Sequence, residues 1–180
     1  MGLFLYQWGQ ALFLQNACGM KNMDIYPEHL ASMNVELMSS VTDHLDRIEK
    51  KLWDSAAGFA EPLEYTGEKY RIVVPHCPED LVQEAYQQAS RLGTYESRIL
   101  SLGTRIVFLR YADDALSDRS LVTIEVDNDG NVLKCRSKLN RNPSDEIWKF
   151  ILEWEKARSL TDITFCIPEE AREIPLNLQV

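Results

Sequence analysis

Residues 121–137 read Leu-Val-Thr-Ile-Glu-Val-Asp-Asn-Asp-Gly-Asn-Val-Leu-Lys-Cys-Arg-Ser. Residues 121–126 and 132–137 are β-rich runs, and Asp127-Asn128-Asp129-Gly130 lies between them. Asn and Gly tolerate the positive φ that a tight connection requires, so the stretch predicts a β-hairpin. A hairpin closed by so short a turn is antiparallel, and that decides the class of the sheet around it.

Working outward, residues 105–111 form another β-rich run, and 70–74 a shorter one ended by Pro75. On the C-terminal side, Asn142-Pro143 predicts a helix start, and Ile147, Phe150, Ile151 and Trp154 then share one helical face. Residues 161–167 read as a last strand and 168–180 as an acidic tail. Upstream, Pro78 with Glu79 and Asp80 opens a helix running to about Ser90, where acids favour the positive end of the helix dipole. Thr94 caps a short helix at 95–102, closed by Gly103. Gly58, Pro62 and Gly67 make 56–67 a connection.

The N-terminal third reads as helical. Residues 3–18 form one helix stopped by Gly19. A longer one starts at Pro27 and carries Leu30, Met33, Leu37, Val41, Leu45, Ile48 and Leu52 on a single stripe. Such a stripe predicts core packing, with a partner-helix seam as the alternative. The expected organisation is one α+β domain over 1–180. It comprises a helical part at 1–55, a mainly antiparallel sheet with a helix packed on it at 68–167, and the tail.

Composition narrows the function. The formal net charge of −9 argues against nonspecific binding to DNA or to an acidic membrane surface. No apolar run reaches the length of a membrane span, and no secretory leader is evident, so a cytoplasmic protein without membrane attachment is expected. The four cysteines, Cys18, Cys77, Cys135 and Cys166, form no CxxC pair and are expected to be reduced. His29 and His44 lie too far apart on one helix to share a metal, and His76-Cys77 point opposite ways if extended. Asp113, Asp114 and Asp118 lack the glycine and terminal Glu of a calcium loop. There is no phosphate-cradling GxxxxGK[ST] or GxGxxG loop. The expectation is therefore no catalytic residue, no cofactor and no metal.

Two surfaces invite a partner. The side of the long helix opposite its stripe carries Glu36, Asp43, Asp46 and Glu49, suited to a basic groove on a host protein or ribonucleoprotein complex. Lys134, Arg136 and Lys138 alternate, so on a strand they share one face, with Arg141 just beyond. That row suits phosphates of a nucleic acid. A lysine-bearing strand face also blunts an exposed sheet edge against aggregation.

The order of signatures in the second half resembles a known family. Glu84 is followed by Gly93-Thr94-Tyr95, Phe108-Leu109-Arg110, Thr123-Ile124-Glu125-Val126, Cys135-Arg136 with Asn140, and Phe150 through Trp154. This resembles the C-terminal region of the PcfJ-like proteins, encoded on conjugative plasmids and other mobile elements. The similarity spans 6–158, is most specific over 84–154, and implies a shortened, free-standing version. The family's His-His-Cys-Val-Gly-Ser-Tyr run is here Ala89-Ser90-Arg91-Leu92-Gly93-Thr94-Tyr95, and Ser137 stands where the family has Gly. The resemblance thus implies a mobile-element context, plasmid or phage, with the reactive groups lost. The leading expectation is a non-catalytic accessory protein that binds and inhibits a host macromolecule, such as a defence nuclease of the CRISPR type, in the manner of an anti-CRISPR protein. On that reading the isolated protein does not bind nucleic acid by itself. A nucleic-acid-associated conjugation factor using the basic row is the alternative, and an enzyme the third.

Overall fold

The computed structural model describes residues 2–17, 19 and 30–160. The element order is α1 (Gly2–Ala17), α2 (Leu30–Ala60), β1 (Tyr65–Thr66), β2 (Tyr70–Val73), α3 (Pro78–Gln88), α4 (Glu96–Leu100), β3 (Arg105–Tyr111), β4 (Val122–Val126), β5 (Val132–Arg136) and α5 (Asp145–Arg158). The expected last strand at 161–167 and the acidic tail lie outside the described residues, as do Cys18, Cys166, His29 and the helix start at Pro27. The chain groups into two compact units, 1–52 and 53–180, the boundary falling within α2.

The second unit holds the sheet. Its five strands run antiparallel in sequence order, β1-β2-β3-β4-β5, making an α+β meander with β1 and β5 at the edges. The β4–β5 turn forms as the sequence implies. Gly130 takes φ +91° while Asn128 needs no positive φ, and Asp127 N donates to Asn131 O at 3.0 Å. A turn closed by a left-handed glycine shifts the register, and the ladder slips between Glu125 and Val126.

Alternation gives the sheet two unlike faces. Ile72, Val107, Leu109, Val122, Ile124 and Cys135 point to one side and meet Trp148, Ile151 and Trp154 of α5. The Trp154 indole donates to Leu63 O at 2.7 Å, joining α5 to the turn that follows α2. On the other side Val73, Ile106 and Phe108 pack against Leu81 of α3, Leu92, Ile99 of α4, and Trp53 and Ala56. The first face is therefore covered by α5, the helix the sequence predicts, and the second is covered where β2 and β3 present Val73, Ile106 and Phe108.

Several boundaries depart from expectation. The 56–67 stretch is not simply a connection, because α2 continues to Ala60 before a 3-10 turn at Glu61–Leu63. Ala56, Ala57 and Ala60 are buried there, and their helix propensity and packing outweigh the cost of Gly58. The last helix starts at Asp145 rather than Asn142-Pro143. Asn142 Oδ1 accepts from Arg136 instead of capping, and Ser144 occupies the extended N-cap position. Tyr95 closes a 3-10 turn, Leu92–Tyr95, and α4 follows it; Thr94 Oγ1 donates back to Arg91 O and caps nothing.

In the first unit, Trp8 of α1 packs with Leu37 and Val41 of α2, and Leu12 and Met33 flank them. The stripe is core only in this half. Leu45, Ile48 and Leu52 are 45%, 41% and 43% exposed, so the expectation of a continuous buried face fails beyond Val41. Among the described residues no helix is long and apolar enough to cross a membrane.

Candidate binding cleft

The second face of the sheet changes character from strand to strand. Register places Phe108 opposite Thr123 and Ile106 opposite Glu125, then Thr123 opposite Arg136 and Glu125 opposite Lys134. The face is thus apolar on β3 and polar on β4 and β5. Helices α3 and α4 bury the apolar part. The polar part stays open and forms the floor of a cleft of about 360 Å³, at the small end of ligand sites.

The near wall is the end of α3. Gln88 is the last helical residue, and Ala89 turns left-handed at φ +51°, with Ser90 N donating to Ala85 O at 3.0 Å and Ala89 N to Tyr86 O at 3.3 Å. This six-to-one and five-to-two pair stops the helix abruptly and sends Ser90 and Arg91 along the rim. The opposite wall is β5 with the hairpin beyond it. Leu139 and Asn140 both adopt φ +60°, Ser137 N donates to Arg141 O, and Asn140 borders the cleft.

Behind the floor lies a polar anchor. Glu84, with no exposed surface, accepts from Arg110 Nη2 and from Thr123 Oγ1, each at 2.5 Å. The Arg110 guanidinium also sits 4.8 Å from the Phe108 ring centre. Glu125, nearly buried, is matched by Arg98 at 3.1 Å and Thr104 at 3.3 Å. Burial, and then the neighbouring Glu125 carboxylate, raises the Tyr95 hydroxyl above its ordinary value and keeps it protonated. Both carboxylates near the cleft are thus compensated. By contrast, Arg91, Lys134 and Arg136 line it and enter no salt bridge among the described residues. Arg136 is steadied by Asn142 Oδ1 at 3.2 Å and by Cys135 O at 2.8 Å.

The expected basic row is therefore shortened. Lys134 and Arg136 share the strand face and the cleft, but Lys138 and Arg141 do not continue it. The chain turns at 138–141, and Lys138 opens a 3-10 turn, Lys138–Asn140. These residues lie on or beside edge strand β5. Glu36, Asp43, Asp46 and Glu49 are all exposed on α2, joined in no salt bridge among the described residues.

Cys77 and His76 sit at the start of α3, remote in sequence from the cleft lining. Cys77 is extended, and burial is the main cause raising its thiol above the usual range, so little thiolate is present near neutrality. Asp113 caps a turn by accepting from Ala115 N, and Asp114 stands 3.9 Å from Arg71. No group of three His, Cys, Asp or Glu suited to a metal occurs among the described residues.

Reading residue types alone passes over Gln88, Arg91, Tyr95, Glu125 and Asn140. For Tyr95, Glu125 and Asn140 the signal lies in the family resemblance, because Glu84, Tyr95, Arg110, Thr123, Glu125, Arg136 and Asn140 are among the residues that carry it; Gln88 and Arg91 carry none. All seven either line the cleft or brace its floor. Ala89, Ser90 and Arg91, the positions at which the resemblance implies a lost His-His-Cys run, form its near wall. A family model described as PcfJ-like protein matches residues 18–151, somewhat less than the 6–158 expected and well over half of the chain. No curated protein and no solved structure matches it.

Proposed function

This chain belongs to the PcfJ-like family, and from that premise we propose that it is a non-catalytic accessory protein of a mobile genetic element whose cleft binds the phosphate-bearing backbone of a nucleic acid. The observation that carries this reading is the convergence of Arg91, Lys134 and Arg136 on one cleft in which the nearby carboxylates already have partners. Three cations that enter no salt bridge among the described residues, above a floor of compensated charge, favour an anion over a neutral or cationic ligand. Against a net charge of −9 the attraction is local, so binding is confined to this cleft and its rim rather than spread over the surface.

Fluorescence anisotropy with labelled single-stranded DNA and RNA at low salt tests it. Wild type should bind, and the Arg91→Ala, Lys134→Ala, Arg136→Ala triple variant should not. Each lost phosphate contact should lower the slope of log affinity against log salt by about 0.7 for a single strand. Binding unchanged in the triple variant, or no binding by wild type, would reject the reading.

A second reading keeps the accessory role but assigns it to α2: inhibition of a host protein, such as a defence nuclease, by the acidic residues Glu36, Asp43, Asp46 and Glu49. Leu45, Ile48 and Leu52 favour it, since they leave an apolar strip in the open on the same helix. Charge reversal at the four acidic positions should then abolish capture of that partner, and free nucleic acid should compete with the protein for it.

A further inference from the structure

The apolar stripe of α2 loses its cover partway along the helix. Leu37 and Val41 are buried with Trp8 of α1, yet Leu45, Ile48 and Leu52 continue the same face in the open, and Met38 beside them is 40% exposed. Met38, Val41, Leu45, Ile48 and Leu52 follow one another at spacings that alternate between three and four. That is the order of a heptad, with Met38, Leu45 and Leu52 at a and with Val41 and Ile48 at d. A strict a/d seam is narrower than the face a helix lays on a globular core, and it suits a neighbouring helix.

The flanks of the seam select the occupant. Among the acids of this stretch, Glu36 and Asp43 take position f and Asp46 takes b, on the side away from the seam. The g and e positions that border Leu45 and Ile48 hold His44 and Glu49, which enter no salt bridge among the described residues. In a parallel pair of identical helices each g side chain meets the e side chain of its neighbour's next heptad. His44 then meets Glu49 of the other copy, twice over by symmetry. Antiparallel pairing would set g against g instead, bringing His44 to the base Lys51. A chain of net charge −9 thus offers its own copy a strip from which most of the nearby acids turn away.

We propose that Leu45, Ile48 and Leu52 form a self-association seam in which α2 of one copy packs in parallel against α2 of another. The seam stands apart from the phosphate reading of the cleft, and it assigns to a second copy the strip that the inhibitory reading gives to a host protein. Leu at a with Ile at d permits more than two strands, so the number of copies is read from the same experiment as the affinity.

Sedimentation equilibrium of the full chain, from low micromolar to several hundred micromolar protein, tests the proposal. The mean mass should rise with concentration. Ile48→Glu should abolish the rise and, because Ile48 is already exposed, leave thermal unfolding of the dilute protein unchanged. His44→Glu should weaken association about two- to fivefold, the value of two exposed like-charge contacts, and adding Glu49→Lys should restore it. A monomer at every concentration would overturn the proposal and leave the strip to another protein. Association that survives Ile48→Glu, or that His44→Glu leaves unmoved or tightens, would overturn it as well.

Discussion

Arg110 Nη2 lies 2.5 Å from Glu84 Oε2, and the Glu84 carboxylate, wholly buried, has its other oxygen 2.5 Å from Thr123 Oγ1. The pair locks α3 to β3 and β4, so the wall and the floor of the cleft are held by one ionic contact. Arg110→Met leaves a buried carboxylate without its cation and should destabilise the protein by about 3–5 kcal/mol in urea unfolding. Arg110→Met with Glu84→Leu removes both charges and should cost clearly less than the sum of the two single changes. Additive costs would show that the two side chains are not coupled.

Ala89 holds φ +51° at the end of α3, where glycine is the usual residue. Ala89→Gly relieves that strain, and the gain, offset in part by a more flexible unfolded chain, should be about 0.5–1 kcal/mol. Thermal unfolding checks it, and a lowered melting temperature would mean that Ala89 makes packing contacts worth more than its strain.

The β4–β5 turn gives a linked pair of expectations. Gly130→Val forces a branched side chain into φ +91° and should cost about 1 kcal/mol or more. An unchanged melting temperature would contradict the turn geometry.

Asp127 in the same turn accepts from Asn131 Nδ2 at 2.8 Å and from the Asn131 and Asp129 N–H groups, and these bonds, the Asn131 side chain first, hold its carboxyl below the ordinary value of 3.8. A depressed carboxyl stabilises the fold fully above its unfolded value and loses that contribution as pH falls through the folded one. The stability difference between wild type and Asp127→Ala should therefore be level near neutrality and shrink only below about pH 4. A difference that already shrinks between pH 7 and 5 would contradict the assignment.

Much of this fold was legible in the sequence because its signals are local. The turn at 127–130 carries its own chemistry, and the β-rich runs at 105–111 and 121–126 match the strands β3 and β4. The long stripe on α2 misled at Leu45, Ile48 and Leu52, since periodicity states which residues share a face and not whether anything covers it. Alternation likewise extended the basic row to Lys138, because nothing in a polar sequence marks where a strand stops. The left-handed Leu139 that ends it is not a residue type that announces a turn. The cleft was illegible from spacing alone, for it joins Gln88 and Arg91 to Glu125, Lys134 and Asn140 across a sheet. The resemblance carried Glu84, Tyr95, Arg110, Thr123 and Arg136 along the chain without placing them in one site.

The most direct measurement of the central claim is backbone amide chemical-shift mapping of the ¹⁵N-labelled protein as a short single-stranded oligonucleotide is added at low salt. The account predicts that the largest shifts gather on Gln88, Arg91, Tyr95, Thr123, Lys134, Arg136 and Asn140. They should fade as salt is raised, while Glu36, Asp43, Asp46 and Glu49 on α2 stay still. Shifts confined to α2, or a spectrum that does not change at all, would contradict it.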